Sequence, residues 1–260
     1  MNSYLWITSI SGIALITMVL LKNKKQKREF FHSNQTVLYV DPYIAKNFIE
    51  NDMDSYVQSL SIYDLRARNA TTISDYLQKS TQDVIPFQSF QQTQLNKAVE
   101  YANDFFKTYR NYYIDSANIQ RIPWFFILTS GYYENGLPHT RAQYIFLTPD
   151  VLMMNLKDLT ITLIHEKIHV YQRLYSSLIH EKLLNMHYKI HGFRKDYENK
   201  LLRANPDLDK YIYISPQNEK MVSIYNSDYP KTISDATGSK YEHPFEEIAY
   251  TISKHFNKNV

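Results

Sequence analysis

The chain has no cysteine, so disulfide staples and thiolate-held zinc are excluded and any metal must be bound by histidines and carboxylates. Five glycines in 260 residues rule out collagen-like architectures. No repeat of fixed period is visible, which sets aside solenoids and coiled coils. A basic stripe is also missing. The formal net charge is +3, but Lys22, Lys24, Lys25, Lys27 and Arg28 supply five positives in one block, and residues 29–260 without them carry −2. That balance does not suit a nucleic-acid binder, and no nucleic-acid partner is expected. What remains is ordinary globular composition, 44% hydrophobic and 21% charged, in a chain long enough for one sizeable core.

Charge is also absent from residues 1–21. Tyr4 to Leu21 is an apolar run of about 18 residues, near the minimum that spans a bilayer. A cleaved signal peptide calls for positive charge ahead of the run, whereas here it follows. The sequence therefore predicts one N-terminal transmembrane helix in residues 1–21, contacting the lipid bilayer through residues 4–21, then a basic juxtamembrane linker, 22–35. The positive-inside rule puts that linker and the folded domain, 36–260, on the cytoplasmic side of a single-pass membrane protein. The sequons at Asn34 and Asn69 would matter only for a lumenal domain.

Residues 36–85 lack a clean period and read as short helices, with an accessory segment as one reading. Phe90 to Tyr113 repeats apolar residues at helical spacing. Pro123 to Thr129 is aromatic and β-branched, and reads as a buried strand. Gln143 to Leu147 reads as a second, the two forming a small antiparallel sheet. Val151 to His191 contains neither glycine nor proline and favours helix, with a break near Ser176-Ser177. Residues 205–241 read as loop with short elements, and a last helix runs from Pro244 to Phe256. The expected class is α+β, mostly helical.

His165-Glu166-Lys167-Ile168-His169 fits the H-E-x-x-H pattern. Residues four apart stack on one helix face, so both imidazoles can reach one ion, and Glu166 beside them can address a water. At about 100° per residue, Ile161, Ile164, Ile168, Tyr171 and Tyr175 share an apolar face, with Leu159, Leu163, Val170 and Leu174 beyond the polar arc. The polar triplet is a notch in a packed helix, although a solvated His/Glu cluster has the same composition.

A catalytic zinc takes three protein ligands and leaves one position open. Pro244 suits the first helical position, which sets Glu246 and Glu247 in the first turn. Helical phase turns Glu246 along the seam of the buried face and Glu247 into water. Glu246 is the favoured third ligand, though an acid there also suits a capping role. His187 and His191 lack an acid in the working position and read as a solvated face. His139 lies just before the second strand, where it can line a cleft.

These residues resemble the zincin metallopeptidases, and among them the gluzincins, whose third ligand is a glutamate. The resemblance covers His165–His169, the Glu246 to Ala249 segment and, loosely, the two strands. The extended metzincin pattern does not fit, because positions 172 and 175 are Gln and Tyr. The resemblance implies a zincin-like domain with one zinc ion on His165, His169 and Glu246. Together with the anchor read from the N-terminus, it implies a membrane-anchored zinc-dependent metallopeptidase with its catalytic domain on the cytoplasmic side. A zinc-activated water would hydrolyse peptide bonds of a peptide or protein substrate, with Glu166 as general base. The Gln143–Leu147 strand would align an extended peptide as a sheet edge does. Tyr225, Tyr229 and His243 are candidates for stabilising the oxyanion. The alternative is a catalytically inactive membrane-anchored metal-binding or scaffold protein on the same fold.

Overall fold

The computed structural model describes residues 36–257. The chain divides into two units, residues 1–36 and 37–260, and the architecture below is that of the second.

A mixed sheet lies at the centre of this unit. It comprises β1 (Val37–Tyr39), β2 (Val84–Ile85), β3 (Trp124–Thr129), β4 (His139–Arg141) and β5 (Tyr144–Leu147), in the order β1-β3-β5-β4 with β2 beside the far half of β3. Side-chain alternation divides β3 and β5 between two cores. Trp124, Phe126, Leu128, Ile145 and Leu147 face one core, which helices α4 (Ser89–Thr108) and α7 (Leu156–Leu174) cover. Ile127 and Phe146 face the other, covered by α1 (Pro42–Glu50), α2 (Ile62–Ala67) and α3 (Ile73–Gln82). Residues 37–85 thus supply a layer of the same unit.

The antiparallel sheet expected from the two strands is corrected. β3 and β5 run parallel, from Phe125 opposite Tyr144 to Leu128 opposite Leu147. The antiparallel partner of β5 is the short β4, turned back through Ala142 and Gln143. Ala142 takes φ 50° in this turn, a left-handed conformation without the usual glycine or asparagine. Because β4 occupies the hairpin position, β3 and β5 are joined by the longer connection that a parallel pair requires.

Helix α7 starts on an Asn155 cap whose side chain accepts from the Asp158 amide, and it carries Asp158 in its first turn and Arg173 in its last. Leu159, Leu163, Ile164, Ile168, Val170 and Tyr171 are buried, while Leu174 is exposed. The helix stops at Leu174, and α8 (Ser176–Asn185) follows, so the break falls where the serine pair stands. Short α5 (Ser116–Arg121) and α6 (Pro149–Leu152) connect the larger elements. Residues 205–241 hold more strand than expected: β7 (Tyr211–Ile214) pairs with β6 (Lys189–Phe193) and β8 (Lys220–Met221), and β9 (Ser223–Tyr225) pairs with β10 (Ala236–Gly238). The last helix, α9 (Pro244–Ser253), packs Phe245, Ile248, Ala249 and Ile252 into the core beside α7.

The transmembrane expectation is also corrected. Among the described residues no helix is long and apolar enough to cross a membrane. The longest, α4 and α7, are two-faced. Lys157, Asp158, Glu166, Lys167 and Arg173 lie along α7 alone, far too much charge for lipid. The span expected at residues 4–21, with its lipid contact, and the linker at 22–35 lie outside the described residues. The single-pass assignment and the cytoplasmic placement are therefore unsupported.

Candidate metal centre

His165 and His169 are one turn apart on α7, and their Nε2 atoms lie 3.0 Å from each other. Glu246, in the first turn of α9, brings Oε2 to 3.4 Å from His165 Nε2 and 3.7 Å from His169 Nε2. A tetrahedral ion with bonds near 2.0–2.1 Å separates its ligand atoms by about 3.3 Å. The three separations bracket that value, so the residues fit a zinc-sized ion. Among the described residues this is the one group of three or more histidines and acids so gathered.

Neighbouring side chains orient all three. Gln172, three residues beyond His169, donates its amide nitrogen to the Phe245 carbonyl at 3.0 Å, which turns its oxygen to His169 Nδ1 at 2.9 Å. A neutral His169 therefore keeps its proton on Nδ1 and presents Nε2 as a lone pair, the usual arrangement for a metal-binding imidazole. Asn205 donates to Glu246 Oε1 at 2.9 Å, leaving Oε2 for the histidines. Asn205 Nδ2 also reaches Glu242, whose carboxylate pairs with Arg203. The Tyr250 ring, one turn beyond Glu246, meets His165 edge-on at 4.6 Å between centroids.

Electrostatics favour positive charge at the point where the three converge. Burial opposes a proton on His169, but the Asp207 and Glu246 carboxylates outweigh it and lift the ring to about 9. At His165 burial prevails over Glu246 and the ring shifts down. Burial also works against the Glu246 charge, yet the His169 and His165 rings hold that carboxyl well below its ordinary value. Glu166 goes the other way. Burial, reinforced by Asp207, pushes it well above the usual carboxylate range, and its Oε2 is buried without a hydrogen-bond partner.

The centre opens into a cleft of about 690 Å³ along α7 and α9, walled by residues 137–139, 203–207 and 239–242. Its inner end is formed by buried Glu134, His139 and Asp207, and its mouth by exposed Tyr250 and Lys254. All four candidates from the motif reading, His165, Glu166, His169 and Glu246, line or adjoin it. His139 does as well.

Other expectations are redirected. Tyr144–Leu147 is an inner strand between β3 and β4, so it cannot pair with an extended substrate. None of the three oxyanion candidates lines the cleft. Tyr225 is buried and donates to Asp64, Tyr229 is exposed over Arg66, and His243 caps α9 by accepting the Phe245 amide while its Nε2 meets Asp209. His187 and His191 are exposed. Gln172, Asn205, Asp207 and Tyr250 went unread. Gln172 and Tyr250 stand at helical spacing from His169 and Glu246, a signal the sequence does carry. Asn205 and Asp207 flank Pro206 in a loop and carry no such signal.

Against protein-family models, curated proteins and solved structures alike, the chain finds no match.

Proposed function

We propose that this chain is a zinc-dependent metallopeptidase of gluzincin type, holding one zinc ion through His165, His169 and Glu246. The observation that carries the reading is the convergence of two α7 imidazoles with an α9 carboxylate, beside a buried glutamate that keeps one oxygen unpaired. A passive metal holder has no use for that oxygen.

Zinc at this point supplies Lewis acidity, polarising a scissile carbonyl and easing loss of a proton from water. The chain does the rest. Glu166, its proton affinity raised by burial and Asp207, accepts the proton of an attacking water on Oε2 and then delivers it to the departing amine. Gln172 and Asn205 fix the ligand orientations, so little rearrangement is needed as the reaction proceeds. Tyr250 lines the cleft beside His165, and partial burial of its hydroxyl end, with Glu246 and Glu166 nearby, raises its pKa. Its contact with His165 makes it the hydroxyl we assign to a developing oxyanion.

The test is zinc stoichiometry followed by peptide turnover on the full-length chain. Glu166→Gln is expected to retain zinc and lose at least about 100-fold in turnover. His169→Ala and Glu246→Gln are expected to lose or weaken zinc. Wild-type turnover by Glu166→Gln, or a purified chain that takes up no zinc, refutes the proposal.

A further inference from the structure

The inner end of the cleft offers acceptors and few donors. The His139 ring lies flat on Phe146, with centroids 4.8 Å apart and planes within 6°. Its Nδ1 donates to the Leu137 carbonyl at 2.9 Å, the tautomer that leaves Nε2 as a lone pair. That Nε2 is buried and has no partner, in a residue only 3% exposed that lines the cleft. Burial also disfavours protonation of the ring.

Asp207 stands at the same end. Its Oδ1 accepts the Thr140 amide at 2.7 Å and the Thr140 hydroxyl at 2.6 Å, and no ion-pair partner meets it among the described residues. None of the nearby guanidinium groups hydrogen-bonds Asp207 directly, and the Arg173 charge acts on it only across the shared Thr140 hydroxyl. Arg173 donates to the Thr140 hydroxyl and to the carbonyls of Thr140, Ala142 and Pro206. Arg203 pairs with Glu242, and Arg68 with Glu134. Buried acceptors without donors are costly unless a ligand supplies the hydrogens. A carbonyl or carboxylate entering between them would face the Asp207 carboxylate and the His139 lone pair.

The sheet edge strengthens the case. Thr140, at the centre of edge strand β4, has its amide on Asp207 and its carbonyl on Arg173, so a substrate cannot pair with this residue as an added strand. Recognition at this residue has to come from side chains.

We propose that the inner end of the cleft binds a cationic nitrogen group of the substrate, an ammonium or guanidinium, between Asp207 and His139. The identification of that substrate as a peptide rests on the metallopeptidase reading. Its charge comes either from a free amino terminus or from a lysine or arginine side chain.

The test uses three decapeptides of one neutral sequence on the full-length, zinc-loaded chain: one with a free amino terminus and no lysine or arginine, one acetylated with a single internal lysine, and one acetylated without it. KM and kcat are measured, and the same labelled peptides are titrated by fluorescence anisotropy after chelation, so that binding is read without turnover. One cationic peptide is expected to bind at least about ten-fold more tightly than the neutral acetylated one, and which one it is identifies the source of the charge. Asp207→Asn keeps an acceptor for the Thr140 amide and is expected to reduce this discrimination about ten-fold, mainly through KM. A merely structural role would weaken all three peptides alike. His139→Phe fills the ring volume without the lone pair and gives the same readout should Asp207→Asn fail to fold. Equal binding of all three peptides, absence of binding, or undiminished discrimination in the variants overturns the proposal. Cleavage without preference leaves the peptidase reading intact and removes this one; preference without cleavage does the opposite.

Discussion

At the scale of single residues, the centre depends on groups that contact no metal. The Gln172 amide holds His169 in the tautomer that aims Nε2 at Glu246, and its other end is fixed by the Phe245 carbonyl. Gln172→Ala is expected to weaken zinc binding about 10- to 100-fold, read by competition against a chromogenic chelator. The raised affinity of His169 for a proton gives a second prediction. Without metal, that proton contributes stability in full below pH 6.5, and the contribution is lost as pH rises through about 9. Zinc needs the ring neutral, so its binding at pH 7 should release about one proton. The melting-temperature gap between zinc-loaded and chelated protein should widen from pH 6.5 to 9, and a gap independent of pH would contradict this origin. His165, Glu166 and His169 were legible because spacing sets them together on one helix, and Glu246 because its phase turns it toward the core; the packing of α9 beside α7 that joins them was not. Asp207 and Asn205 were not, because a loop residue's place is decided by the packing of distant elements, here the side of β4 and the start of α9.

At the scale of elements, the helix carrying Glu246 is positioned by its first residues. His243 accepts the Phe245 amide with Nδ1 and meets the Asp209 carboxylate with Nε2, so one side chain both caps α9 and ties it to the segment before β7. His243→Ala is expected to cost about 1–3 kcal/mol in urea unfolding, from the lost cap and the partly abandoned Asp209. It should also lower zinc affinity, because Glu246 stands three residues on. Undiminished affinity in that variant would show that α9 is held by packing alone. Helices α4, α7 and α9 were readable from apolar spacing, as was the break near Ser176, but α5 was not, and the helical reading of Val151–His191 ran past Asn185 into β6. Strand direction was not. An apolar run such as Trp124–Thr129 looks the same in either orientation, and the hairpin that decided the matter turns on Ala142, a residue with no turn signature.

Across the whole molecule, one buried arginine joins segments that are far apart in the chain. Arg68, just after α2, pairs with Glu134 at 2.6 Å, reaches the Ala204 carbonyl at 3.2 Å, and shares Asp64 with Tyr225 of β9. It thereby links the layer built by residues 37–85 to two walls of the cleft. Burial opposes the Glu134 charge, but Arg68 more than offsets it and holds that carboxyl at about 2. The depressed value stabilises the fold above pH 4.5, and the contribution fades as pH falls toward 2. Arg68→Ala leaves a buried carboxylate alone and is expected to cost about 3–5 kcal/mol in chemical denaturation. Nothing in the local sequence around Arg68 announces this role, since its partners come from three remote stretches.

The seal on β4 reaches beyond recognition. An exposed strand at the margin of a sheet is where one molecule templates the ordered stacking of the next. With the Thr140 amide and carbonyl both engaged, a neighbouring copy finds no vacant ladder rung at that position. Asp207, which also shapes the inner end of the cleft, and Arg173 therefore guard this margin against fibril-like self-association.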